Sequence, residues 1–269
     1  MEQERKNVII AGLVKPFTTL KLGLRLYYEK YFEKKIKVKY GITQLPTLDM
    51  LDLFPNLDET INRYSYMDGV SWVPDIVLLK SLARKFDNCN YLEIGSWRGE
   101  SIANVAEVAV SCTSVTLSPE EMKAFNFHEN FIKMHAMFSN DKQNIKTIHQ
   151  NSQTFDFTTL GEQYDLIFID GDHTYSGVLN DTVKTFGLRK NNKSVIVWHD
   201  YGFTTETPRH SVIAAILDGI PKDKHKNLYH VSNSLCAIYI EDAPGKPYVT
   251  QFPSFPNKKF TINVKAEKL

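Results

Sequence analysis

Tyr91-Leu92-Glu93-Ile94-Gly95-Ser96-Trp97-Arg98-Gly99-Glu100-Ser101 is the stretch that decides the fold. Tyr91, Leu92 and Ile94 make a short apolar run suited to a buried strand. Gly95 and Gly99 bracket a four-step turn in which larger side chains would obstruct a ligand. Beyond the turn, Ile102, Val105, Ala106 and Ala109 recur at i, i+3, i+4 and i+7, one face of a helix. A strand, a glycine turn and a helix in that order offer backbone N–H groups to a carboxylate or phosphate. A plain strand–helix connection that uses glycine only to turn fits the same residues, so the rest of the chain has to decide.

Downstream, strands and helices alternate. Ser114–Leu117 reads as a short strand. Ser118-Pro119-Glu120-Glu121 then supplies an N-cap, a proline at the first helical position and an acid at the third. Residues 146–150 read as a third strand, and Tyr164–Asp170 as a fourth. Leu166, Ile167, Phe168 and Ile169 are consecutively apolar, as in a parallel strand covered on both faces. A helix with Val178, Thr182, Val183 and Phe186 inward precedes a fifth strand, Ser194–Trp198. Val212, Ile213, Ile216 and Leu217 mark another helix, and Tyr229–Val231 and Leu235–Ile240 read as a closing hairpin. The series predicts an α/β fold: a doubly wound, mostly parallel, seven-stranded sheet of Rossmann-like form, with an antiparallel C-terminal hairpin and an N-terminal helical extension.

Three regions follow: a helical extension or cap over 1–74, the sheet domain over 75–242, and an extended tail over 243–269. Residues 15–39 carry eight Lys/Arg against Glu29 and Glu33. Leu20, Leu24, Tyr27, Tyr28 and Tyr31 make an apolar stripe there, expected to pack on the main domain. Peripheral membrane contact through residues 15–39 is the minor alternative. Residues 41–74 read as irregular loops and short helices, and a helix follows from Asp75.

The 269 residues are 42% hydrophobic and 23% charged, ordinary for a globular protein. A formal net charge of +1 gives no global field for nucleic acid, and none is expected as a partner. Cys89, Cys112 and Cys236 form no CxxC pair, which suits reduced thiols in the cytoplasm. No 18-residue apolar run predicts a spanning helix, and no signal-peptide layout is evident.

In an open α/β sheet, ligands bind beyond the carboxyl ends of the strands. The polar residues there are Glu93 and Gly95, Asn151 and Ser152, Asp170-Gly171-Asp172-His173, and His199-Asp200-Tyr201. If the fourth and fifth strands are neighbours, Asp170 and Asp200 can reach one cation, and hard oxygen ligands suit Mg2+, Mn2+ or Ca2+. Capping of the next helix is the plainer role for either aspartate. His173 falls in this charged cluster, and histidine is the usual base near neutral pH. For His199, metal ligand, hydrogen-bonded partner of a ligand and structural residue remain open. A dinucleotide would require Gly-x-Gly-x-x-Gly, and the middle glycine is missing.

At this point a resemblance is plain. Residues 91–101 resemble motif I of class I S-adenosylmethionine-dependent methyltransferases. Phe168–Tyr175 and Val197–Tyr201 are similar to later motifs of one branch, the small-molecule and sugar O-methyltransferases with their macrocin-type relatives. The similarity spans about residues 75 to 241. It implies that Glu93, Gly95, Ser96, Gly99, Ser101 and Asp170 face S-adenosyl-L-methionine, with Asn151 and Ser152 near its adenine. It implies a divalent cation, Mg2+, on Asp170 and Asp200, with His199 where some relatives carry an acid. It makes His173 the base for the acceptor hydroxyl. One departure concerns the second strand: relatives end it in an acid that grips the ribose, and Thr116 stands there, with Glu120 a candidate substitute. The expected activity is O-methylation of a small hydroxylated acceptor, a sugar among the candidates. The alternatives are a non-catalytic membrane or partner adaptor that keeps the fold, and a nicotinamide oxidoreductase. Self-association is left open.

Overall fold

The computed structural model describes residues 16–269. Position 15, where the basic segment begins, therefore lies outside the described residues. Helix α1 (Pro16–Tyr40) leads to strand β1 (Thr47–Leu48), the short helix α2 (Met50–Leu53) and helix α3 (Val73–Ala83). Then follow β2 (Asn90–Ile94), α4 (Glu100–Val105), β3 (Ser111–Thr116), α5 (Pro119–Ala124), α6 (Glu129–Lys133) and β4 (Ile145–His149). β5 (Leu166–Ile169), α7 (Tyr175–Phe186), β6 (Val195–Trp198), α8 (His210–Gly219), β7 (Leu228–Val231) and β8 (Ala237–Tyr239) complete the series.

The strands form one sheet in the order β1-β7-β8-β6-β5-β2-β3-β4. β2 pairs in parallel with β5 on one side and β3 on the other. The strand order therefore reverses at the end of β2, where a crevice opens in doubly wound sheets. β8 runs antiparallel to both β6 and β7, which is the expected C-terminal hairpin. An eighth strand corrects the expected count of seven: β1, from the stretch read as irregular, pairs in parallel with β7. Two residues are too few for any hydrophobic period to show.

Alternation along β2 sorts the core into two layers. Leu92 and Ile94 face Val178, Val212 and Ile216 of α7 and α8, together with Phe32 and Ile36 of α1. Tyr91 on the opposite face packs with Leu78, Leu79 and Leu82 of α3 and Ile102 and Val105 of α4. β5 is buried on both faces, as its unbroken apolar run requires. Cys89, Cys112 and Cys236 are buried and free.

The α1 docking face differs from the expected one. Leu20, Leu24, Tyr27, Tyr28 and Tyr31 are exposed, Tyr27 at 74%. The helix docks instead through Phe32, Ile36 and a polar clamp on Asp218 of α8. Lys35 and Lys39 pair with that carboxylate at 2.9 and 2.6 Å, and the Tyr175 and Tyr40 hydroxyls donate to it. These partners are about 180 residues from α1 in sequence, so nothing local marks the face. No described helix is long and apolar enough to cross a membrane.

Candidate active site

The glycine turn follows directly from the sheet. Gly95 N donates to Val115 O of β3, and Asp170 N donates to Ile94 O, so the ends of β2, β3 and β5 converge. Gly95 has φ +93, and a Cβ there would overlap the Asp170 carbonyl oxygen. Gly99 has φ +86, and a Cβ there would overlap Ser139 Oγ. Both positions need glycine for its backbone conformation and for the close approach.

A cavity of about 730 Å3 opens here. Gly95, Ser96, Gly99 and Ser101 form one wall, Asn151 and Ser152 a second, and Asp170, His173, His199 and Asp200 a third. The sequence thus brings every nominated residue but one to the same cavity. The exception is Glu93, which lies buried beneath the turn. Tyr91 Oη donates to one of its carboxylate oxygens at 2.6 Å and Ser101 Oγ to the other at 2.7 Å. Burial pushes the Glu93 carboxyl up to about 7, against the pull of these two donors. Glu93 acts on the cavity by fixing Ser101.

Thr116, at the end of β3, is occupied: its hydroxyl donates to Ser96 O at 2.7 Å and lies 3.2 Å from His135 Nε2. Glu120 is exposed and outside the cavity wall. Glu121 caps α5, accepting from Ser118 N at 2.8 Å, and also accepts from Asn151 N at 3.2 Å. Sequence reasoning missed the apolar part of this wall. Trp97 stacks on Phe131 with centroids 3.9 Å apart, and Phe127 stacks on Phe131 at 4.8 Å. Those aromatics come from loops and a five-residue helix with no motif of their own.

β5 and β6 are neighbours, so Asp170 and His199-Asp200 emerge side by side. One ligand atom from each of Asp170, His199 and Asp200 lies within 4.8 Å of the others. His199 Nδ1 is 3.0 Å from Asp170 and 3.5 Å from Asp200, yet it is buried without a hydrogen-bond partner. The distances are short but the angles do not make bonds. Burial disfavours a charged His199, but Asp170, Asp200 and Asp75 outweigh it and hold the ring well above the imidazole range. Burial raises Asp170, with Asp200 adding to the effect. Burial would raise Asp200 too, but His199, Arg209 and His173 draw it down to about 2. Arg209 reaches Asp200 at 3.1 Å, and Asp200 itself sits in the left-handed region, φ +58. His173 Nδ1 stands 3.8 Å from Asp200 at the exposed mouth.

Residues 92–201 match a family model described as a methyltransferase domain. An uncharacterized protein of Acanthamoeba polyphaga mimivirus is 31% identical over 133 residues, 46% of this chain and 58% of that protein. The chain thus spans less than two thirds of its viral relative. Among solved structures, cofactor-bound Rv0187 from MTB superposes with a TM-score of 0.47 at 18% identity, over 64% of this chain and 81% of the other. The O-methyltransferase TomG from Streptomyces achromogenes, in complex with SAM, gives 0.45 at 14% identity, over 64% and 82%. The fold rests on the strand order above rather than on these likenesses. The segment from β2 to Tyr201 thus resembles a methyltransferase domain, and it is carried by a sheet of Rossmann-like strand order.

Proposed function

We propose that this chain transfers a methyl group from S-adenosyl-L-methionine to a hydroxyl oxygen of a small molecule, a sugar among the candidates, assisted by Mg2+. One observation carries the reading: a single cavity joins the glycine turn to the Asp170–His199–Asp200 cluster. Its volume, about 730 Å3, falls in the range of small-molecule sites. Gly95 and Gly99 leave room for the methionine part of the donor. Asn151 and Ser152 stand at the adenine end, and the stacked Trp97, Phe131 and Phe127 line the same cavity. The sulfonium methyl is already activated, so the walls mainly hold donor and acceptor in line.

Asp170, Asp200 and His199 would hold the cation. The two carboxylates suit a hard divalent ion, and the unpartnered Nδ1 faces the space between them. A cation held there would supply positive charge that lowers the pKa of the acceptor hydroxyl. His173 takes the hydroxyl proton, and the Asp200 carboxylate beside it stabilises the resulting imidazolium. A reducing, cytoplasmic setting agrees with three buried free thiols.

Isothermal titration with S-adenosylhomocysteine, with and without Mg2+, tests the reading. Binding that tightens with Mg2+ supports it. No binding in either condition, together with binding of NAD, overturns it. Asp200→Asn is expected to abolish the Mg2+ effect and to leave binding of S-adenosylhomocysteine alone intact.

A second reading is favoured by the uncovered α1 stripe: residues 20–31 also touch a membrane surface or a partner. Vesicles of anionic lipid co-sediment the full chain if this holds. Equal sedimentation of a Leu24→Ser/Tyr27→Ser/Tyr31→Ser variant removes it.

A further inference from the structure

Asp75 belongs to none of the strand ends that build the cavity. It sits in the first turn of α3, fully buried, and its carboxylate touches four donors. Trp72 N donates to Oδ2 at 2.9 Å, and His199 Nε2 stands 3.2 Å from the same oxygen. Leu235 N donates to Oδ1 at 2.8 Å, and Cys236 Sγ lies 3.6 Å from it.

The two backbone N–H groups decide the chemistry. A main-chain amide can only donate, and each Asp75 oxygen already faces one. Both Asp75 oxygens thus accept from the main chain, and His199 Nε2, 3.2 Å from Oδ2, is placed to donate to the same carboxylate. That leaves Nδ1 on the opposite side of the ring, buried between Asp170 and Asp200 with no partner of its own.

We propose that Asp75 is a positioning residue. It fixes the His199 ring and keeps a proton on Nε2, so that Nδ1 is presented to the space between Asp170 and Asp200. The proposal rests on the cation-assisted reading above for its purpose, but the proton placement is testable without it. A histidine ligand whose other nitrogen donates to a carboxylate has a fixed orientation and a more basic ligating nitrogen. Asp75 also joins α3 to the turn between β7 and β8, so the ring is held by a part of the chain outside the domain motifs.

The experiment uses the full chain labelled with 15N-histidine, the His199 signals being identified by their absence in His199→Gln. Nε2 is expected to carry its proton both without and with saturating Mg2+, and the Nδ1 signal alone is expected to move on Mg2+ addition. An Nε2 that lacks a proton in either spectrum overturns the proposal. In a second arm, Asp75→Asn places an amide NH2 against one of the fixed donors, and Mg2+ affinity by titration is expected to fall about 10- to 100-fold. Binding of S-adenosylhomocysteine alone is expected to persist, which shows that the variant has folded. Wild-type Mg2+ affinity in Asp75→Asn overturns the proposal. Should that variant not fold, the wild-type spectra decide alone. If the wild type binds S-adenosylhomocysteine but no Mg2+, the cation reading fails, while a protonated Nε2 in the metal-free spectrum still supports the role of Asp75.

Discussion

A side chain at position 95 would have to occupy the place of the Asp170 carbonyl, so the turn and the neighbouring strand end are one object. The left-handed backbone there costs a non-glycine residue about 1–2 kcal/mol before the overlap is counted. Gly95→Ala is expected to lose more than about 2 kcal/mol in urea denaturation, since the overlap adds to that backbone cost. Glu93 below the turn has a pH signature. Its carboxyl is raised from 4.5 to about 7 in the folded protein, so its contribution to stability is complete below pH 4.5 and lost as pH rises through 7. Glu93→Gln is expected to gain stability relative to the natural protein between pH 5 and 8, and a parallel pair of curves in that window refutes the burial argument. At this scale the site was legible where chemistry sits on a strand end, as at Asp170, His173 and Asp200. Asp75 was not: a carboxylate in a first helical turn looks like a local cap, which it also is.

The elements were legible wherever apolar spacing extends over several residues, as in the unbroken β5 and in α7, although Val183, expected to face inward, is 58% exposed because the buried face runs through Val178, Asp181, Thr182 and Thr185. Helix α1 shows how spacing can mislead. Five leucines and tyrosines at helical intervals look like a docking face, yet the helix is held by Phe32, Ile36 and four groups around Asp218. Phe32 is 5% exposed and stacks on Tyr175 at 4.8 Å. Phe32→Ala is expected to cost about 3 kcal/mol or more. Tyr27→Ser on the exposed side is expected to stay within about 0.5 kcal/mol. Thermal melts of the two variants check this, and a large loss in Tyr27→Ser would mean that the stripe is covered after all. Asp218 lies far below the carboxylate range: burial opposes this, but Lys39, Tyr175, Tyr40 and Lys35 outweigh it. A group lowered in this way stabilises above its unfolded pKa and loses that contribution as pH falls, so the α1 clamp is strongest at neutral pH.

At the scale of the molecule, ligand binding is expected to appear as stability. S-adenosylhomocysteine at a hundred times its Kd should add about 2.7 kcal/mol. For a domain of this size that corresponds to roughly 5–10 °C in Tm. The same addition to Gly95→Ala is expected to give no shift, and a full shift would place the donor elsewhere. The strand order also sets a timetable. β1 lies against β7, so Thr47 must wait for His230, 183 residues later, before its ladder exists. At about 5–20 residues per second of synthesis, that wait lasts on the order of 10 to 40 s. For a similar interval Phe32 and Ile36 have no α8 to cover them. Residues 32–48 are thus made well before the elements that cover them, which makes them a segment in need of protection on the ribosome.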